Sequence, residues 1–343
     1  MATSNIDRTS KEAHFYQIYG LNILSDRMLP YLATTGKTSA DIEINIFDLP
    51  VVSHPVASIN STPIYQSEGF NPAGVPYLQV FQDTFSEEAF LLFTVSDNDT
   101  LITFSVNRAG SSVHIYIAPN MRFKDIIAYF VGPVMGSVLR LRNVVALHAG
   151  VVNVNGKAIV VIGEKTAGKS TLTAAFASLG FPVLADDIAT LSLLDGKYVV
   201  MPGYPCLRVL KSSSDFFDDI KLLEEDKVLS FDVKYYLSLN QQEAASANWS
   251  FTNTPLPLAG IYFLEPRNST GTIAIRKDPS SKKLIRLISN MYALYITNPA
   301  MQTLEFLTLN DIVRTVDIFS LDRPDNLASL SSVCELIVAT TDS

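Results

Sequence analysis

Gly163-Glu164-Lys165-Thr166-Ala167-Gly168-Lys169-Ser170 is the segment whose residue types and spacing could do chemistry most directly. It fits the phosphate-binding pattern G-x-x-x-x-G-K-S/T at every position. Gly163 and Gly168 let the backbone turn tightly and aim N–H groups inward, with no Cβ in the way. A helix N-terminus after the loop adds partial positive charge where phosphates would lie. Lys169 can reach β- and γ-phosphates as a mobile point charge, and the Ser170 hydroxyl can ligate Mg2+. Lys165, a second lysine inside the loop, reads as a solvated side chain, with a phosphate contact as its alternative.

A second chemical element follows shortly after. Asp186-Asp187 comes at the end of a short apolar run, where nucleotide-handling folds place a Mg2+-coordinating carboxylate. Two adjacent carboxylates allow a division of labour: one helps hold the cation while the other takes a proton from an attacking hydroxyl. Without the loop, an acidic turn after a strand would be the better reading. His148 lies in an apolar run, where a lone histidine is more often a core group than a catalyst. His14, His54 and His114 have no partners in sequence and read as structural. No Cys/His spacing suggests zinc, and neither a G-x-S-x-G element nor the H-R-D and D-F-G signatures of protein kinases occur.

These groups need elements to hold them. Ala158-Ile159-Val160-Val161-Ile162 before the loop reads as a buried strand, and Thr171 to Ala177 after it as a helix. Strand, glycine loop, helix is the context that makes the pattern a nucleotide site rather than a turn that happens to precede a helix. Val145 to Val152 is a further strand, joined through the hairpin-type turn Asn153 to Lys157. Gly180-Phe181-Pro182 ends the helix, and Val183-Leu184-Ala185 leads as a strand into the acidic pair. Strands are expected at 188–194, 198–201, 258–264 and 272–275, and helices at 284–295 and 309–319. Residues 240–257 read as a surface loop, and the acidic stretch Asp215 to Asp226 as a solvated face.

Upstream, β signals dominate. Asp41 to Ile46 and Val113 to Ile117 alternate polar and apolar residues. Phe90 to Val95 and Leu101 to Val106 flank the polar run Ser96 to Thr100, a hairpin loop. The expected organisation is a frayed start over 1–13, a mainly antiparallel β domain over 14–120, a connecting helix over 121–143 with a kink near Gly132-Pro133, and a nucleotide-binding domain over 144–343.

Composition agrees with a globular chain: 48% of the 343 residues are hydrophobic and 17% charged. Twenty-six Lys and Arg against 34 Asp and Glu give a net charge of −8, which argues against nucleic acid or an anionic membrane surface as partner. Cys206 and Cys334 form no disulfide framework, so a reducing cytoplasm is expected. Met1 to Ser10 lacks a hydrophobic signal segment. The near-apolar run Ile126 to Leu139 is too short to span a bilayer.

Taken together, Leu147-His148-Ala149-Gly150-Val151-Val152, Gly163 to Thr171 and Leu184-Ala185-Asp186-Asp187-Ile188-Ala189-Thr190-Leu191 resemble the HPr serine kinase/phosphorylase family. More broadly they are similar to phosphoenolpyruvate carboxykinase-type phosphate-loop proteins. The likeness is nearest to kinases that phosphorylate a serine on ribosomally made precursor peptides, such as lasso peptide precursors. Tyr19 to Ser25, Leu29-Pro30 and Pro202-Gly203-Tyr204-Pro205-Cys206-Leu207-Arg208 resemble that group too. The resemblance implies an α+β fold with a phosphate-loop kinase core, ATP and Mg2+ as cofactors, and a peptide or protein acceptor. It implies nucleotide contacts from Gly163 through Thr171, with Lys169 and His148 near the transferred phosphate. Asp186 would be the base toward the acceptor serine, and Ser170 and Asp187 the metal-linked groups. Arg208 would meet phosphate or substrate.

The chain departs from the family in two respects. The glycine-rich signature that bifunctional members use for phosphorolysis and HPr docking is not found, and the N-terminal domain looks different. Both disfavour HPr as acceptor and the reverse reaction. Two other functions stay open: a nucleotide-sensing module that transfers nothing, and a kinase for free serine or a similar small alcohol. A homo-oligomer is compatible with either.

Overall fold

In the computed structural model the described residues are 12–48, 62–97, 100–118, 122–211, 217, 222–223, 227, 234–240 and 248–342. Most of the expected frayed start, the tip of the 96–100 loop and most of the acidic stretch lie outside them. The chain divides into two compact units, Met1–Gln17 with Leu21–Phe123, and Ile18–Gly20 with Lys124–Ser343. From Lys124 onward the segment expected as a connecting helix belongs to the second unit.

The first unit is built on one eight-stranded sheet. Its strands are β1 (His14–Ile18), β2 (Leu21–Ser25), β3 (Ile42–Asp48), β4 (Tyr65–Gln66), β5 (Leu78–Gln82), β6 (Leu91–Asp97), β7 (Thr100–Val106) and β8 (Ser112–Ile117), in the order β1-β2-β3-β8-β7-β6-β5-β4. Alternation in sequence becomes alternation in space. Ile42, Ile44 and Ile46 of β3 face the same core as Val113, Ile115 and Ile117 of β8, all buried. The run from β4 to β8 is antiparallel. The β2–β3 and β3–β8 pairings are parallel, which makes the sheet mixed.

The helical segment is interrupted where proline demands it. α1 (Phe123–Tyr129) passes into a π-helical turn, Phe130–Val134, before α2 (Met135–Leu141). Pro133 has no N–H to offer the regular ladder, and the wider turn accommodates the gap.

The second unit centres on β9 (Val145–Val154), β10 (Lys157–Ile162), β11 (Val183–Ala185), β12 (Ile188–Leu194), β13 (Lys197–Met201), β14 (Cys206–Leu210), β15 (Lys234–Ser238), β16 (Leu256–Leu264), β17 (Ala274–Lys277) and β18 (Asp317–Asp322). The main sheet runs β10-β9-β12-β13-β16-β18-β17, with β11 added on β9, while β14 and β15 form a separate pair. β10 also pairs with β16, so the pairings return to their start and β10 has a strand on both sides. Asn155 and Gly156, both at positive φ, make the tight β9–β10 turn.

β10 is an unbroken apolar run because both its faces are covered. Ile159 and Val161 enter a core with Phe176 of α3 (Lys169–Ser178) and Val333 and Ile337 of the C-terminal helix Leu330–Asp342. Ala158, Val160 and Ile162 enter the opposite core, with Leu287 of α4 (Ser280–Ser289) and Leu309 and Ile312 of α5 (Pro299–Thr315). Ile159→Ala would cost about 2–5 kcal/mol, from lost burial plus the cavity left behind.

Three sequence expectations need correction. α4 starts earlier than 284 and stops at Ser289, so Tyr292 and Tyr295 lie beyond it. α5 begins at Pro299, capped by Asn298, whose Oδ1 accepts from the Ala300 and Met301 N–H groups, and it ends at Thr315. Residues 317–319, read as the end of that helix, belong instead to the strand Asp317–Asp322, parallel to β16. Val316 is already extended, and Ile318 and Leu321 enter the core. In the 240–257 stretch, expected as a surface loop, Asn253, Thr254 and Pro255 are exposed, but Trp249 is buried with its ring edge-on to Phe217.

Candidate functional site

The site lies in the second unit, where β10 ends. Gly163 follows directly, and a Cβ on it would sit 3.0 Å from both Ala167 Cβ and Leu264 Cβ. The loop closes with Ala167 N–H donating to Glu164 O at 3.1 Å and with Thr166 and Gly168 at positive φ. Gly168 at φ 97° then starts α3, a conformation that glycine adopts at little cost. Glu164, Lys165 and Thr166 are exposed at the tip, whereas Lys169 is buried. The Lys169 ammonium donates to Gly163 O at 2.7 Å and to Glu164 O at 3.3 Å. Burial pulls its pKa below the usual lysine range, opposed mainly by Asp187.

The acidic pair is placed by β9. β11 pairs with Val151 and Val152, β12 with the stretch from Val145 to His148, and Asp186-Asp187 is the link between them. Ala149 N–H donates to Asp187 O at 3.1 Å and fixes that link. Gly150 beside it cannot be larger: a Cβ there would meet Thr173 Oγ1 at 2.3 Å. The same strand therefore presents His148 next to the carboxylates.

The two aspartates are buried alike but partnered differently. Asp186 Oδ2 accepts from the Arg208 backbone N–H at 2.8 Å and from Arg208 Nε at 3.3 Å, while Oδ1 has no hydrogen-bond partner. Asp187 Oδ1 pairs with Arg208 Nη2 and lies 3.7 Å from His148 Nε2, and Oδ2 accepts from the Tyr292 hydroxyl at 3.0 Å. Burial raises the Asp186 pKa above the ordinary carboxylate range, against the lowering effect of Arg208 and a smaller one from the Ser170 hydroxyl. Burial would raise Asp187 as well, but Arg208, His148 and the Tyr292 hydroxyl outweigh it and hold Asp187 well below that range. Burial, with help from Lys169 and Arg208, lowers His148 to about 4 against the pull of Asp187. The ring is neutral near pH 7 although 44% of its side chain is exposed.

Tyrosines wall this cluster. Tyr19, Tyr204 and Tyr236 are buried around Arg208, and desolvation raises all three above the usual phenol range. Tyr292 stacks on His148 with ring centroids 5.6 Å apart and planes 10° apart. It gets there because the chain after α4 runs along β9: His148 N–H donates to Asn290 O at 2.7 Å and Tyr292 N–H to Ala146 O at 2.9 Å. Gly136 of α2 makes room for the ring, since a Cβ there would lie 2.1 Å from Tyr292 Cδ1.

Of the residues singled out in sequence, Arg208 contacts both Asp186 and Asp187, and His148 lies beside Asp187. Lys169 and Ser170 are near enough to act electrostatically on the pair. Glu164, Lys165, Thr166 and Thr171 belong to the loop and its helix start. Sequence reading missed Tyr292, Arg323 and Arg267. Arg323 follows β18 and is buried; its Nη1 donates to Glu265 O at 2.8 Å and its Nη2 to Ala167 O. Arg267 follows β16; its Nη2 donates to Thr166 O at 3.4 Å and its Nη1 to Asp325 Oδ1 at 2.6 Å. β10, β16 and β18 are parallel, so their carboxyl ends deliver the loop and both arginines to one edge. That is the edge where open α/β sheets bind ligands, and recognising β18 as a strand would have pointed to it.

No protein-family model matches the sequence, and no curated protein matches it. Among solved structures, the Hpr(Ser) kinase/phosphatase from Coxiella burnetii is similar at a TM-score of 0.30 and 8% identity, over 58% of this chain and 99% of that one. So slight a likeness carries no conclusion about chemistry.

Proposed function

We propose that this chain is an ATP-dependent kinase of the HPr kinase type that transfers a γ-phosphoryl group to a serine hydroxyl of a peptide or protein. A ribosomally made precursor peptide is the proposed acceptor. The observation that carries the reading is the buried, unpartnered Oδ1 of Asp186, in a cluster that also holds Lys169 and Ser170. A buried carboxylate oxygen without a donor is costly; the Ser170 hydroxyl lies close enough to act on Asp186 without bonding Oδ1, and an acceptor hydroxyl brought to Oδ1 would supply the missing donor.

The residues also fit a divalent cation. Ser170 and the pair of buried carboxylates are hard oxygen donors of the kind Mg2+ takes, and Asp187 stays ionised across the physiological range. Ser170 and Asp187 would hold it, with Arg208 ceding Asp187 Oδ1. When bound, Mg2+ neutralises charge on the β- and γ-phosphate oxygens.

The chain's own groups would do the rest. Gly163 to Thr171 cradles the phosphates, and Lys169 moves from its loop carbonyls to a phosphate oxygen. Asp186 accepts the hydroxyl proton as the new O–P bond forms and the bond to the leaving ADP breaks. Its raised pKa makes it a stronger base than an ordinary aspartate. Neutral His148 and the stacked Tyr292 orient Asp187 and limit water at the reacting groups. Positioning and charge neutralisation supply most of the rate gain.

The test is incubation with γ-labelled ATP, Mg2+ and serine-containing peptides, wild type against Asp186→Asn. Label on the peptide with wild type, and none with the variant although it still binds ATP, is expected. Undiminished transfer by Asp186→Asn would remove the base assignment. One observation favours a second reading, a nucleotide sensor that transfers nothing: Arg208 already contacts both carboxylates. ATP binding without any labelled peptide or small alcohol would select it.

A further inference from the structure

Arg323 is an unusual place to bury a charge. It is 5% exposed, and its guanidinium donates to two backbone carbonyls, Glu265 O and Ala167 O. No carboxylate lies within ion-pair distance of it among the described residues; Glu265 and Asp325 act on it only from farther off. Arginine buried on carbonyls alone is under-compensated, and burial followed by the nearby Arg267 lowers its pKa to about 10. Both arginines converge on one residue: the position of a Cβ on Gly168 would be 3.4 Å from Arg267 Nη2 and 3.8 Å from Arg323 Nη2.

We propose that Arg323, seconded by Arg267, is a positioning residue for polyphosphate, acting through the backbone of the loop. The proposal rests on the nucleotide-binding part of the reading above and not on phosphoryl transfer. In a trans peptide the C=O and the following N–H point in opposite directions. Anchoring Ala167 O on Arg323 therefore turns the Gly168 N–H away from the arginine and frees it for a phosphate oxygen. Anchoring Thr166 O on Arg267 holds that residue in its left-handed conformation, φ 67°. The two positive charges, one of them deeply buried, also favour an anion at the loop, and more strongly as the number of phosphates rises. The fold supports the pairing: β16 and β18 run parallel to β10, so both arginines leave the sheet at the edge where the loop begins.

Isothermal titration of the full chain with ATP, ADP and AMP in the presence of Mg2+ tests this, comparing wild type with Arg323→Met, Arg323→Lys and Arg267→Gln. Arg323→Met keeps most of the apolar stem while removing the charged fork. It should weaken ATP binding by about 10- to 100-fold, the size expected for hydrogen bonds to a charged group. ADP should lose less and AMP least, and Arg323→Lys should recover part of the ATP loss. Arg267 is 42% exposed at its side chain, so Arg267→Gln tests the idea even where Arg323→Met fails to fold. It should weaken ATP about 3- to 10-fold with AMP nearly unchanged. Equal losses for all three nucleotides, or none in folded variants, would overturn the proposal while leaving nucleotide binding intact. A wild-type chain that binds no nucleotide would overturn both. Wild-type binding without transfer would remove the kinase reading and leave this one standing.

Discussion

Arg208 and Arg323 are both set into the second unit near the Gly163–Ser170 loop, yet they are satisfied in opposite ways. Arg208 meets two buried carboxylates, and despite burial its pKa is raised well above the usual range, chiefly by Asp187. Arg323 meets carbonyls, and burial lowers its pKa to about 10. An arginine on carboxylates neutralises acids that would otherwise be intolerable in the interior. An arginine on carbonyls keeps its charge available and sets peptide planes. The first is expected to matter most to folding and to the acceptor side of the site, the second to the nucleotide.

Perturbation can break that contrast. Asp186→Asn attacks the carboxylate side with the largest expected effect on rate: transfer should fall by about 10²- to 10⁴-fold with ATP affinity nearly intact, measured by single-turnover labelling. Arg208→Met should have the largest effect on stability. It leaves two carboxylates buried without their counter-charge, a loss of about 3–5 kcal/mol in urea denaturation. Arg323→Met leaves only carbonyls behind and should cost less, about 1–3 kcal/mol. Equal losses for the two arginines would erase the distinction. Gly136→Ala forces Tyr292 off its place beside Asp187 and should lower stability by about 1–3 kcal/mol through overpacking.

The smallest effect is one of pH, on the metal-free protein. The folded pKa of His148, about 4, lies below its unfolded value of roughly 6.5. Between those values the unfolded chain binds more protons, so stability is full above about pH 6.5 and declines as pH falls toward 4. Solvent at a ring 44% exposed keeps the slope shallow. His148→Gln should remove that part of the slope in denaturation curves taken at pH 7 and pH 5. A variant slope equal to that of wild type would mean that the histidine does not contribute.

The carboxylate side was largely legible in sequence and the arginine side was not. The loop, β10 and α3 are contiguous, so one local pattern carries all three. Asp186-Asp187 stood out because a polar pair at the end of Val183-Leu184-Ala185 breaks an apolar run. Arg323 and Arg267 reach the loop only through parallel pairing of β10 with β16 and β16 with β18, and no local period encodes that. Asp317–Asp322 was further obscured because it follows a long helix with a single extended residue, Val316, between them. Tyr292 was read as the last turn of a helix. Its true course depends on hydrogen bonds to β9, which lies far back in the sequence and beyond any local pattern. In the first unit, alternation exposed the strands but not the parallel β2–β3 and β3–β8 pairings, since burial of one face says nothing about strand direction.

The circuit of strands around β10 has a bearing on the lifetime of the assembled state. Amide hydrogens at Ile159, Val160 and Val161 sit in a strand paired on both sides and covered on both faces. Such hydrogens exchange with solvent only when the whole unit opens. Arg208, by contrast, belongs to a ladder of just two strands, β14 and β15, which share a core with β10 but lack its pairing on both sides. Deuterium would therefore enter the arginine's strand well before the one that carries the loop. On that expectation the grip on the carboxylates would be the shorter-lived part of the cluster and the strand that leads into the Gly163–Ser170 loop the longer-lived part.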